Sequence, residues 1–265
     1  MNYLIIFFIS IFTSAASACV GLGGGLLLIP FLVLIFELPI KYVAGTMLFA
    51  MVPYTAVATF RNLKHGYVNF KIGLIMEMGS ILGVIVGANF TDFMPDLVLK
   101  ILFLSIVVYL MLTLQIPEDS SFNLVARGFN KINFIKPFVY CKTARGAHCS
   151  IPALILVGFI AGYFSGLLGV GGGFLKTPVL IVGILLPPKI AVGTALFMIM
   201  ITAFFGTVEH AFLGHIHFHI GIIIAAGMMI GAYIGTTVLK KASEEKIKKY
   251  IFIAMLVAGI LAIFR

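Results

Sequence analysis

The glycine run Gly21-Leu22-Gly23-Gly24-Gly25 returns 148 positions later as Gly169-Val170-Gly171-Gly172-Gly173. The offset then holds without a gap. Pro30, Pro39, Lys41 and Gly45-Thr46 meet Pro178, Pro187, Lys189 and Gly193-Thr194, while Gly66, Gly73, Gly79, Gly83 and Gly87 meet Gly214, Gly221, Gly227, Gly231 and Gly235. A register kept over 67 positions is a duplication, not a coincidence. Whatever one half folds into, the other must fold into as well. The expected divisions are a first repeat over 1–116, a linker over 117–150 and a second repeat over 151–265.

Apolarity decides what each half can be. Hydrophobic residues make up 62% of the 265 and charged residues only 10%, where a soluble domain carries about a quarter, so lipid must be the solvent. Each half contains five apolar segments, at about 3–20, 26–37, 43–60, 72–91 and 97–116, then 151–168, 174–186, 192–212, 220–239 and 248–264. The sequence therefore predicts an all-α integral membrane protein of about ten segments. Residues 3–20 end in Ala16-Ser17-Ala18-Cys19, as a signal peptide would. No Lys or Arg precedes the apolar run, however, and the segment has a counterpart at 151–168, so it reads as a retained membrane segment.

Charge fixes the orientation, because cytoplasmic loops collect Lys and Arg. Arg61, Lys64 and Lys71 lie between segments three and four, five bases lie in the central linker, and Lys240, Lys241, Lys246, Lys248 and Lys249 precede the last segment. All three loops are expected inside. The loop between segments eight and nine holds Glu209 and four histidines without a Lys or Arg, and the loop between four and five holds Asp92 and Asp96, so both are expected outside. A base-rich loop in one half thus matches a base-free loop in the other, and the two repeats are expected to be inverted, with both termini outside a cell (inner) membrane. The formal charge of +9 is spread between apolar segments, which argues for topology and against nucleic acid.

Three glycines in a row cost helix stability and need a reason. Each run is followed by a proline, at Pro30 and Pro178, which is expected in the first turn of a new helix. The segment is then a broken hairpin, and its second arm of about 12 residues spans some 18 Å, too short for a ~30 Å core. Non-helical backbone survives in a membrane only where protein or a watery cavity satisfies it. Free N–H groups ahead of a helix start attract negative charge, so Gly21, Gly23, Gly24, Gly25, Gly169, Gly171, Gly172 and Gly173 are candidate anion ligands. Lys176 stands inside an apolar segment where an ammonium costs at least ~2.5–3.5 kcal/mol, and is expected to serve the anion or respond to its protonation. Thr46 and Thr194 could add hydroxyl donors, or bond back to their own helices.

Other features read as structure. The glycines spaced by four at 79, 83 and 87, and at 227, 231 and 235, suit close helix packing. His210, His215, His217 and His219 have no counterparts at Asn62, Tyr67, Asn69 and Lys71 and read as a solvated outside loop, not a metal site. Cys19, Cys141 and Cys149 lack metal or disulfide spacing. Neither H-E-x-x-H, G-x-S-x-G nor a Walker A run occurs, so the chain is not expected to be an enzyme; an intramembrane enzyme could use only Cys19 as nucleophile. No metal or cofactor is expected. The expected partners are the bilayer and a small anion, with a homodimer left open.

The stretches G-L-G-G-G-L-L-L-I-P at 21–30 and G-V-G-G-G-F-L-K-T-P at 169–178, each followed by Pro, Lys and Gly-Thr at matching intervals, resemble the sulfite exporter TauE/SafE family of membrane transporters. The resemblance spans nearly the whole chain. It implies movement of small sulfur-containing anions such as sulfite, sulfoacetate or related organosulfonates, proton-linked and outward, with the glycines of both runs at the substrate pathway. Alternating access between the repeats, or a passive anion channel of similar build, would each fit.

Overall fold

The computed structural model describes residues 3–36, 38–99, 101–105, 139–142, 148–243, 245–247, 249–250 and 253. The expected segments at 97–116 and 248–264, and most of the linker, lie largely outside these residues. The described chain runs α1 (Tyr3–Val20), α2 (Gly25–Phe36), α3 (Ile40–Leu63) and α4 (Phe70–Phe90), the last continued by a 3₁₀ turn, Thr91–Phe93. After a small antiparallel pair of strands, β1 (Val139–Lys142) and β2 (His148–Ser150), come α5 (Ile151–Leu168), α6 (Gly173–Pro178), α7 (Pro188–Phe212) and α8 (Phe218–Lys241). Six of these helices are long and apolar enough to cross a membrane. The strand pair is a departure from the purely helical expectation, confined to the linker's end.

Helix starts follow from local chemistry. Pro39 and Pro187, held at φ −57° and −54°, cap α3 and α7, and the Asn69 Oδ1 accepts from Ile72 N–H at 3.2 Å to cap α4. The two hairpin prolines do not sit where expected. Both short helices begin on the last glycine of their runs, at Gly25 and Gly173, which puts Pro30 and Pro178 beyond the first turn. Pro178 has no N–H to give to the α-helical ladder, and the chain beyond it widens into a π-helical stretch, Val179–Gly183, with Ile184 N–H bonded to Val179 O at 3.0 Å.

The small-residue ridges pack as expected. A methyl added at Gly79, Gly83 or Gly87 of α4 would overlap the backbone at Ile155, Phe159 or Tyr163 of α5, and one at Gly158 or Gly162 would overlap Met76 or Ser80. The numbers rise together, so α4 and α5 run parallel at backbone contact. Ser80 Oγ adds a bond to Gly158 O at 2.9 Å, of a kind worth ~0.6 kcal/mol in membranes. Gly227, Gly231 and Gly235 of α8 lie in the same way on Phe7, Ile11 and Ala15 of α1. Outside faces are apolar: Leu74, Met78 and Leu82 of α4 and Ile222, Ile230 and Ile234 of α8 are exposed, which suits contact with lipid tails.

Equivalent contacts recur across the halves. Gly45 packs on His210 and His215, while Gly193 packs on Tyr67; Gly73 meets Phe197, while Gly221 meets Phe49. The start of α3 therefore lies at the end of α7 and the converse, so these equivalent helices run in opposite directions. Side chains repeat the exchange: His217 N–H donates to Thr46 Oγ1 at 3.0 Å, and Asn69 N–H donates to Thr194 Oγ1 at 2.9 Å.

Candidate functional site

Both glycine runs are breaks. Gly21, Gly23 and Gly24 have φ of 76°, 88° and 84°, and Gly169, Gly171 and Gly172 have φ of 71°, 83° and 74°. This left-handed region excludes most side chains and ends a right-handed helix. The two breaks also touch. A methyl at Gly25 would lie 2.7 Å from Gly169 O, one at Gly173 would meet Gly21 O, and Thr177 Oγ1 donates to Gly21 O at 2.8 Å.

The loops close their entry helices but leave amides open. Ser17 O accepts from Gly21 N–H at 2.8 Å and from Leu22 N–H at 3.2 Å, and Ser165 O accepts from Gly169 N–H at 2.8 Å. Among the described residues, the N–H groups of Gly23, Gly24 and Gly25, and of Gly171, Gly172 and Gly173, find no acceptor, although all six residues are buried. Orphaned buried amides are rare in folded proteins and carry a desolvation cost. Ser17 and Ser165, equivalent under the repeat, are fully buried, and their Oγ atoms have no hydrogen-bond partner among the described residues. Mid-helix serines usually bond back to a carbonyl four residues earlier, as Ser10 does to Ile6 at 2.7 Å. Each repeat thus sets one unmatched buried hydroxyl ahead of three open buried amides, on two loops that touch.

Lys176 is buried completely in α6, one turn beyond Gly173, and is not alone. Its Nζ forms an ion pair with Glu77 of α4 and donates to Thr202 Oγ1 of α7 at 2.7 Å, and Thr202 Oγ1 donates to Glu77 Oε2 at 2.7 Å. The carboxylate cancels the ammonium, so in this state the full charge expected to serve an anion is already matched. Sequence reasoning missed Glu77. The signal was present, because a lone cation deep in lipid needs a counter-charge and Glu77 is the acidic residue inside the 72–91 segment. Positions equivalent to Glu77, Lys176 and Thr202 carry Ala225, Leu28 and Tyr54. The ionic cluster therefore occurs on one side of the repeat only.

Thr46 and Thr194 are drawn elsewhere. In this state each oxygen accepts a backbone amide from the opposite half, as described above, and is not left open toward an anion. The histidine expectation fails in part. His217 and His219 are exposed, but His210 is buried completely and His215 is 3% exposed. The last turn of α7 packs against α5, so its polar face is turned inward and not toward solvent. Cys19 is buried at the end of α1.

A family model described as Sulfite exporter TauE/SafE matches residues 6–262. The chain belongs to that family. It is a multi-pass membrane transporter of the TauE/SafE type, similar to several curated relatives. Probable membrane transporter protein YunE of Bacillus subtilis is 24% identical over 98% of this chain and 96% of its own. Probable membrane transporter protein MJ0441 of Methanocaldococcus jannaschii is 33% identical over 86% of this chain and 83% of its own. Sulfite exporter TauE/SafE family protein 2 of Arabidopsis thaliana is 30% identical over 38% of this chain and 21% of its own. No solved structure matches. Within the TauE/SafE frame, the paired glycine breaks of the sequence motif are buried and meet each other.

Proposed function

We propose that this TauE/SafE protein is a ten-segment, inverted-repeat secondary transporter that moves a small anion between the two glycine breaks by alternating access. The observation that carries the reading is the six buried, acceptor-free glycine amides, three from each repeat, on two loops that touch. Such amides bind oxyanions wherever they converge, and a dry, low-dielectric setting strengthens each contact. A tetrahedral or pyramidal oxyanion presents several acceptors at once, which suits Ser17 and Ser165 as further donors. Sulfite or an organosulfonate has this shape and charge, and the Arabidopsis relative is named for sulfite export.

The opposed directions of α3 and α7, together with the reciprocal contacts, support inversion of the repeats. A pair of equivalent positions supports the orientation. Arg61 donates to Thr236 and Thr237 of α8 at 2.7 and 2.8 Å, and its counterpart Glu209 accepts from Asn89 of α4 at 2.7 Å. The same contact is thus basic at the end we assign to the cytoplasm and acidic at the other. With five segments per half, both termini lie outside the cell membrane. Proton linkage is assigned to the Glu77–Lys176–Thr202 cluster, whose neutrality one proton would change.

Uptake of labelled sulfite, isethionate and chloride into proteoliposomes, with and without an imposed pH gradient, tests the reading. Saturable sulfite flux that follows the gradient is the expected result. Unsaturated downhill flux of all three anions would replace it with a passive channel.

A further inference from the structure

At the end of the bundle assigned to the outside, four groups form a line. His210 Nε2 lies 2.8 Å from Gly166 O, His210 Nδ1 lies 3.2 Å from His215 Nδ1, and His215 Nε2 lies 3.1 Å from Asp92 Oδ1. Proton counting constrains this line. A carbonyl only accepts, so His210 Nε2 carries a hydrogen; the Nδ1 pair needs one hydrogen between them; and the contact to the carboxylate needs one more. Three hydrogens are required, and two neutral imidazoles with an ionised Asp92 supply two. The same count follows if the third hydrogen resides on Asp92.

We propose that Gly166, His210, His215 and Asp92 form a binding site for one proton that latches the outward end of the transporter. With the proton bound, all three contacts are made, and they tie α5, the end of α7, the loop before α8 and the turn after α4 together. When the proton leaves, one contact loses its hydrogen and opens. Gly166 lies three residues before Gly169, so the latch holds the helix that delivers the second glycine break. Histidine is the side chain suited to such a change near neutral pH.

Charged and aromatic neighbours face the line from α3, α4 and α7. Lys41 of α3 lies 3.5 Å from the same Asp92 oxygen, so a cation stays beside the carboxylate whichever way the proton moves. Tyr42 places its ring edge-on to His215 at 5.9 Å and tilted on His217 at 5.0 Å. Glu209 is engaged by Asn89. The opposite end has no such line: positions equivalent to Gly166, His210, His215 and Asp92 carry Ala18, Asn62, Tyr67 and Lys240, and Lys189, the counterpart of Lys41, donates to the Lys240 carbonyl at 3.0 Å. Among the described residues, the proton latch is therefore built into one face alone.

Only its coupling to flux rests on the transport reading; the latch itself stands on the contacts. Histidine-selective nitrogen NMR of the intact protein in lipid nanodiscs, from acid to alkaline pH, reads the proton count directly. The spectra are expected to show one step that adds a single proton to the line as a whole. Across that step, deuterium exchange of the 212–218 amides should rise with pH beyond its intrinsic change, approaching tenfold per unit as a one-proton linkage requires. His210→Asn, which copies position 62, should uncouple the exchange of those amides from the step while the protein stays folded by circular dichroism. Independent titration of the two rings, or exchange indifferent to the step, overturns the proposal. Sulfite counterflow that keeps its rate in His210→Asn but loses its pH dependence supports coupling of the latch to transport. Absence of sulfite flux in the wild type overturns the transport reading while the NMR result still decides the latch.

Discussion

Removing the Lys176 ammonium should destabilise the protein far more than removing both charges of its pair. Lys176 has a fully buried side chain and that of Glu77 is 2% exposed, so neither can reach water when its partner is lost. Deleting one member of such a pair costs about 3–5 kcal/mol, because the remaining charge is uncompensated, whereas replacing both with neutral groups of similar volume is often close to neutral. Lys176→Met leaves the Glu77 carboxylate with hydroxyl neighbours alone, Thr202 and Ser80. Glu77→Gln leaves an ammonium facing an amide. In detergent, either single variant should melt roughly 6–20 °C below the wild type, and Glu77→Gln/Lys176→Met should recover most of that loss.

The double variant also separates structure from mechanism. If the cluster only fills space, the double variant should carry sulfite at the wild-type rate. If it carries the coupling proton, the double variant should be stable yet lose flux driven by a pH gradient, while counterflow without a gradient persists. A Lys176→Met protein as stable as the double variant would refute the argument at its root, since the ammonium and carboxylate would then not be sharing a dry site.

Ser17→Ala and Ser165→Ala should each weaken sulfite binding roughly 10- to 150-fold, the span of a hydrogen bond to a charged group, and by similar factors; unchanged KM in counterflow assays would remove these hydroxyls from the site. Gly83→Ala should lower the melting temperature strongly, because its methyl would overlap the Phe159 backbone, whereas Gly66→Ala, with open space around it but φ at 68°, should cost only about 1 kcal/mol; equal effects would contradict the backbone contact of α4 with α5. Cys19→Ser should leave transport intact, and loss of a chemical activity in that variant would revive an intramembrane enzyme.

Much of this molecule was legible in its sequence, and what escaped did so for a common reason. Self-comparison finds what two halves share. It located the glycine breaks, and hydropathy located the described helices to within a few residues at most ends, because backbone geometry and lipid contact are demands that both repeats must meet. It is blind to what one half has alone. Glu77 aligns with Ala225, Thr202 with Tyr54, His210 with Asn62 and His215 with Tyr67, so each was either overlooked or read as loop. Those positions matter for a physical reason. In an inverted repeat, the inward-facing and outward-facing states arise by exchanging the conformations of the two halves. If the halves were identical, the two states would have equal energy, and neither a preferred direction nor a response to one compartment's pH could be built in. Any bias must come from residues that break the repeat, and every 1.4 kcal/mol they supply shifts the ratio of the two states tenfold. Under the transport proposal, the shared glycines make the pathway, and the unshared Glu77–Lys176 and His210–His215 pairs are where the transporter tells its two sides apart.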